Sequence, residues 1–280
     1  MNIRPHNISA RTAAFTMVEI AICLAIIGLA LVAIIGVLPL GMNVQRDNRE
    51  ETVIDQDSTV FLESIRNGVK SGADLTNYVF AITNYRTIYT PQGQKGPTDV
   101  YGYGYTGASF NGTATQYGIT NNYRIVGLLS TPEYIYDGIP TNNVLSGGYS
   151  NHVYAYVHAL SGPAVEKPPQ DNPILLEDSF TYRFLTVNAP LATDTNLFGL
   201  TSGQPGQAND QQIYSRELAA NLHELRLTFA WPILPSGAVR ADAPLPQTQR
   251  TLIAGAIFET NDANVQPLYF YESQSFTNSP

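Results

Sequence analysis

From Phe15 to Met42 the chain reads FTMVEIAICLAIIGLALVAIIGVLPLGM, an apolar run in which Glu19 is the one charged residue. No charged residue follows until Arg46. About 20 apolar residues of helix cross a hydrocarbon layer roughly 30 Å thick, so the pattern predicts a membrane-spanning helix over 15–45. After Gln45 the pattern changes character. Arg46, Asp47, Arg49, Glu50, Glu51, Asp55 and Asp57 now surround Ile54, Phe61, Ile65 and Val69, which recur at helical spacing. The helix is therefore expected to continue outside the membrane as an amphipathic stem over 46–72, with Gly68 and Gly72 marking its stop.

Past residue 73 the period shortens. Val153, Ala155 and Val157 alternate with His152, Tyr154, Tyr156 and His158, which predicts a surface strand with one apolar and one polar-aromatic face. Leu225, Leu227, Phe229 and Trp231 alternate with Arg226, Thr228 and Ala230 in the clearest strand signal of the chain, over Leu222–Trp231. Further strands are read at Ile174–Val187, Thr251–Phe258 and Leu268–Tyr271, and a helical turn at Ser215–Asn221. Between Thr76 and Lys167 the composition turns to Tyr, Gly, Asn and Thr, with 13 of the 17 tyrosines between Tyr78 and Tyr156. That mixture favours short strands joined by turns over a dedicated binding face. The proline-rich stretch around Pro168 and Pro173 places a subdomain boundary near 163–173, and Thr201–Asp210 reads as a loop. The fold class expected is α+β: a long N-terminal helix, half membrane span and half stem, carrying a β-rich globular body over 73–280.

Composition narrows the function classes. At 280 residues with 44% hydrophobic and 14% charged residues, the chain can bury a core of one or two domains. Its net charge of −8, without a basic cluster, argues against nucleic acid as a partner. Cys23 is the single cysteine and cannot form an intramolecular disulfide.

The first 14 residues hold Arg4 and Arg11 and no acid, which sets the N-terminus on the cytoplasmic side and the body in the periplasm. A cleaved secretory leader has an apolar region of roughly 7–15 residues, shorter than this one. Ile22 before Cys23 is too large for a lipoprotein signal. Glu19 remains to be explained, because a carboxylate near the start of a membrane helix needs a partner or a place at the interface beside the positive end of the helix dipole.

Ala14-Phe15-Thr16-Met17-Val18-Glu19 resembles the cleavage and methylation motif of type IV prepilins and type II secretion pseudopilins. In that family a small residue, usually glycine, precedes the cut; the new N-terminal phenylalanine is N-methylated; and a glutamate is the fifth mature residue. The resemblance implies a prepilin leader over 1–14, cleavage between Ala14 and Phe15 by a prepilin peptidase, and N-methylation of Phe15. Glu19 would then guide assembly by meeting the amine of a neighbouring subunit, since an unpaired buried charge is costly and the pair sets the register. Ala14 departs from the usual glycine. Pro39 removes a backbone hydrogen bond and is expected to kink or loosen the helix; in pilin filaments the helix partly melts near such a residue. The partners implied are the peptidase, other pilin or pseudopilin subunits, and the inner-membrane assembly platform. The large body favours a minor pilin or pseudopilin over a repeated shaft subunit. The rivals are an uncleaved membrane-anchored periplasmic binding or adhesion protein and an anchored hydrolase.

No catalytic site is expected. Gly102-Tyr103-Gly104-Tyr105-Thr106-Gly107 matches a dinucleotide signature in spelling, but no strand before it or helix after it is predicted. His152 and His158 would stand ~20 Å apart along a strand, too far to share an ion. His223-Glu224 begins a zinc-protease pattern that Leu227 ends, and Asn111-Gly112-Thr113 reads as a turn. No metal site or cofactor is expected. Calcium is the one ion left open, at Asp194-Thr195-Asn196 with Gly199, where Phe198 and Pro205 replace ligands, or at Asp262 and Asn264. Some pseudopilins bind calcium in their C-terminal domain.

Overall fold

The computed structural model describes residues 16–68, 74–90, 94–104, 109–110, 113–119, 121–135, 148–160, 180–191, 217–260 and 267–272. The chain divides into two compact units, Met1–Glu51 and Thr52–Pro280. Helix α1, Met17–Asn67, contributes to both.

In the first unit the Met17–Leu38 part of α1 is apolar on every side apart from Glu19. Met17–Leu38 is long and apolar enough to cross a membrane, and none of it is buried. Such a helix has no core of its own to face. Pro39 lies inside α1, which continues on both sides of it. The proline withdraws one backbone donor there without ending the helix.

In the second unit the stripe predicted from the sequence is buried. Ile54, Phe61 and Ile65 are inaccessible to solvent and belong to the main core. The helix ends at Asn67, and Gly68 adopts the left-handed conformation (φ 54°) that closes many helices. Gly68 is the first of the two glycines read as the stop of the stem; Val69 and Gly72 lie outside the described residues.

The body is built on a nine-stranded mixed sheet. Its strands are β1 (Val79–Tyr89), β2 (Lys95–Gly104), β3 (Ser109–Phe110), β4 (Thr113–Gly118), β5 (Tyr134–Ile135), β6 (Tyr149–His158), β7 (Thr181–Pro190), β8 (Leu222–Ala230) and β9 (Gln247–Ala254). The order is β3-β4-β2-β1-β6-β7-β8-β9, with β5 pairing the start of β6. Only β2–β4 is parallel among these pairings. Helix α2 (Asn122–Leu129) packs with a separate antiparallel pair, β10 (Ala256–Thr260) and β11 (Leu268–Glu272). The fold is α+β, as expected.

The inner sheet face carries Ile82, Val153, Ala155, Phe184, Leu225 and Leu227 into one core with α1, α2 and β11. A smaller cluster of Ala81, Tyr156 and Ile233 sits apart from it, with Phe80 and Val239 packed against it.

Several sequence expectations change. The tyrosine-rich region forms strands of 10 or 11 residues in β1, β2 and β6, because the large sheet supplies pairing along their whole length. Strand β6 is central rather than superficial: it lies between β1 and β7, and Tyr156 and His158 on its expected polar face are buried. Gly102, Tyr103 and Gly104 do stand in a strand, contrary to expectation. Strands β3 and β4 come after them in the chain, in place of the helix that a phosphate site requires. The Thr251–Phe258 strand is two strands parted at Gly255, whose φ of 129° suits glycine and whose N–H donates to the Asn221 carbonyl (2.8 Å). Strand β7 begins at Thr181, later than Ile174, and 174–179 lie outside the described residues. The 163–173 stretch and the Thr201–Asp210 loop also lie outside them, while β6 and β7 pair directly within one sheet.

Candidate functional site

The best-defined polar constellation of the first unit is at the start of α1. Thr16 is the N-cap and Glu19 the third helical residue. The Thr16 N–H and hydroxyl both donate to Glu19 Oε2, at 3.0 Å each, and the Glu19 N–H donates to Thr16 Oγ1 at 3.3 Å. This is a reciprocal capping box: two orphan donors of the first turn are satisfied by side chains of the same turn. The helix proper begins with the Ile20 N–H donating to the Thr16 carbonyl, 3.2 Å.

Electrostatically the box does two things. It places the carboxylate against the N-terminal end of the helix, where the aligned peptide dipoles favour negative charge. Hydrogen bonds of this kind also lower the cost of a carboxylate wherever such a helix enters hydrocarbon, a cost of ~2.5–3.5 kcal/mol at a helix centre and less near its end. Both Thr16 donors meet Oε2, and Oε1 takes no hydrogen bond among the described residues. Oε1 is therefore the oxygen open to a cation from outside the helix. Cys23, one turn further on, is an exposed free thiol.

Thr16 escaped the sequence reading as an actor in its own right. The spacing Thr-x-x-Glu immediately before an apolar run was the signal that would have found it. Ala14 and Phe15, the proposed cleavage and methylation positions, lie outside the described residues, as do Asp194, Thr195, Asn196, Gly199, Asp262 and Asn264 of the calcium readings and the Asn111-Gly112 turn.

His158 and His223 of the second unit are packing residues. His158 packs in a tilted arrangement against Phe80 (ring centroids 4.5 Å, interplanar angle 37°), and burial pushes its pKa down to about 4. His223 faces the core edge-on to Tyr271 at 5.6 Å, with Nε2 3.2 Å from the Ala220 carbonyl oxygen. Burial lowers its pKa despite that hydrogen bond. Glu224 follows His223 on a strand whose burial alternates, so the two point to opposite faces. Among the described residues no three His, Cys, Asp or Glu side chains gather in a way that could hold a metal ion.

The tyrosines divide between core and sheet surface. Tyr103 and Tyr156 are fully buried, and Tyr103 stacks on Tyr117 at 5.4 Å. Burial raises the Tyr103 phenol far above its ordinary range, so it stays neutral. Tyr85 meets Tyr154 edge-on at 5.7 Å, and the Arg183 guanidinium lies 5.4 Å from the Tyr154 ring centre. No protein-family model, curated protein or solved structure matches the chain.

Proposed function

We propose that the chain is a prepilin-type structural subunit, a minor pilin or pseudopilin of a type IV pilus or type II secretion filament. One observation carries the reading: an exposed apolar helix of membrane-spanning length opens on a carboxylate, and that carboxylate is held at the helix start directly after Ala14-Phe15.

The physical course of assembly is built from those groups. The apolar half of α1 anchors the chain in the inner membrane, with the N-terminus cytoplasmic and the body periplasmic. A prepilin peptidase cuts between Ala14 and Phe15 and methylates the new amine. Glu19 enters the bilayer with Oε2 already engaged by Thr16, and Oε1 receives the Phe15 amine of a neighbouring subunit. Opposite charges brought together in a medium of low dielectric fix the helix at one depth, because any other depth leaves each without its partner. The assembly platform and its motor draw the helix out, and Pro39, with one hydrogen bond already missing, is where α1 loosens most readily. The role is architectural, and no catalytic group of the chain takes part.

The test is the N-terminal peptide of protein extracted from host membranes containing an active prepilin peptidase, identified by mass spectrometry, together with a Glu19→Ala variant. The expected result is a start at N-methylated Phe15 and loss of filament incorporation in the variant. An intact leader in that host overturns the reading and leaves an uncleaved anchored binding or adhesion protein.

A further inference from the structure

The part of α1 in the second unit carries two carboxylates that reach different strands. Asp57 is only 1% exposed. Its Oδ2 accepts from the Tyr182 hydroxyl on β7 and from the Leu160 backbone N–H just beyond β6, both at 2.9 Å. Burial and the Asp57 carboxylate together hold the Tyr182 phenol protonated, so it stays a donor. Asp55 is exposed, and its Oδ1 accepts from Gln247 Nε2 at 2.8 Å and Gln249 Nε2 at 3.0 Å, both on β9. Residues two apart on a strand share a face, so both glutamines stand on the side that carries α1.

Strand β8 separates β7 from β9, so the two attachments lie on strands roughly 10 Å apart across the sheet. They also leave the helix in different directions, since consecutive residues are turned by about 100° and these two by about 200°. Apolar contacts are non-directional, and the stripe of Ile54, Phe61 and Ile65 is interrupted by Asp57 and Ser58 on the turn between the first two, so the polar groups of that turn carry the positional information. A slip of one turn, about 5.4 Å, would put Val53 or Phe61 where Asp57 stands and leave buried donors without their acceptor. A rotation would separate Asp55 from both glutamines.

We infer that Asp57 and Asp55 form a two-point clamp that fixes the axial position and the rotation of α1 on the sheet. Asp57, buried and hydrogen-bonded to the β6–β7 side, sets the position; Asp55, at the β9 edge, sets the rotation. The clamp belongs to the second unit alone and does not depend on what the apolar half of α1 does.

The test is hydrogen exchange by mass spectrometry on the full chain in detergent, comparing peptides from 52–67 with peptides from β1 and β2. The variants are Asp57→Asn, Tyr182→Phe, their combination, and Asp55→Ala. Tyr182→Phe keeps the ring in the core and removes only the hydroxyl, so it serves even where Asp57→Asn does not fold. A hydrogen bond to a charged group corresponds to about a tenfold or greater change in an opening equilibrium. The expected result is at least about a tenfold faster exchange in 52–67 for Tyr182→Phe and for Asp57→Asn, no larger change in the combination, a smaller rise for Asp55→Ala, and unchanged β1 and β2. Unchanged exchange in 52–67, or an equal rise in 52–67 and in β1 and β2, overturns the clamp.

Discussion

Gly127 on α2 faces the ring of Phe270 and the side chain of Leu268; a Cβ built there would stand 2.7 Å and 2.9 Å from them. Both neighbours belong to fully buried residues that cannot swing aside without opening the core. Gly127→Ala should therefore destabilise the fold by about 1–3 kcal/mol, although alanine is the better helix former, as read from the midpoint of denaturant unfolding. At this scale the sequence disclosed the poles of the chemistry but not the contacts. Glu19 stood out as the one charge in an apolar run. Its partner Thr16 did not, because a threonine before a helix is common and only the spacing to Glu19 marks it. Asp57 looked like one more stem acid among seven charged residues. Its burial depends on Tyr182 and Leu160, which no local pattern connects to it.

At the scale of elements, α1 and β8 were legible because each is long and keeps one period: the β8 alternation of buried and half-buried residues matches the sequence pattern position by position. Helix α2 was missed. It has only eight residues, and its apolar positions, Ile125, Val126, Leu128 and Leu129, are as compatible with a strand in a turn-rich region. Its start is nevertheless specified, since the Asn121 side chain accepts from the Arg124 N–H at 2.9 Å. Asn121→Ala removes that cap and should cost about 1 kcal/mol. Thermal unfolding checks this, and Asn121→Ser should recover most of the loss. The β9–β10 boundary was unreadable for a different reason. Gly255 is the only local mark of it, and apolar residues continue on both sides while the chain changes sheets.

For the molecule as a whole, two buried histidines make stability depend on pH. His158 titrates near 4 in the folded state against an unfolded value near 6.5, and His223 is shifted in the same direction. Below 6.5 the unfolded chain therefore binds more protons than the folded one. Stability is fully present above about 6.5 and falls as the pH drops towards 4, with a slope approaching ~1.4 kcal/mol per pH unit from His158, to which His223 adds in the same direction. Urea midpoints measured from pH 7 to pH 4.5 should fall, and His158→Gln should flatten the slope relative to the parent. The class of the fold and the apolar helix could be read from the sequence at this scale. The strand order could not, because hydrophobic alternation states which face a residue occupies and nothing about which strand lies beside it.

That order has a temporal side. Strands β1 and β2 pair with each other, and β6, β7, β8 and β9 pair in succession, so each group can form from neighbouring stretches of chain. The seam between them is β1 against β6, running from Val79 with Val157 to Ile88 with Tyr149. Closing it means drawing together segments far apart along the chain, an entropic expense met before any contact rewards it. Until the seam shuts, β1 and β6 each present a bare row of backbone donors and acceptors, the kind of edge to which a foreign strand adheres. During synthesis this sheet stays open in the middle until the ribosome has passed His158, long after α1 has emerged.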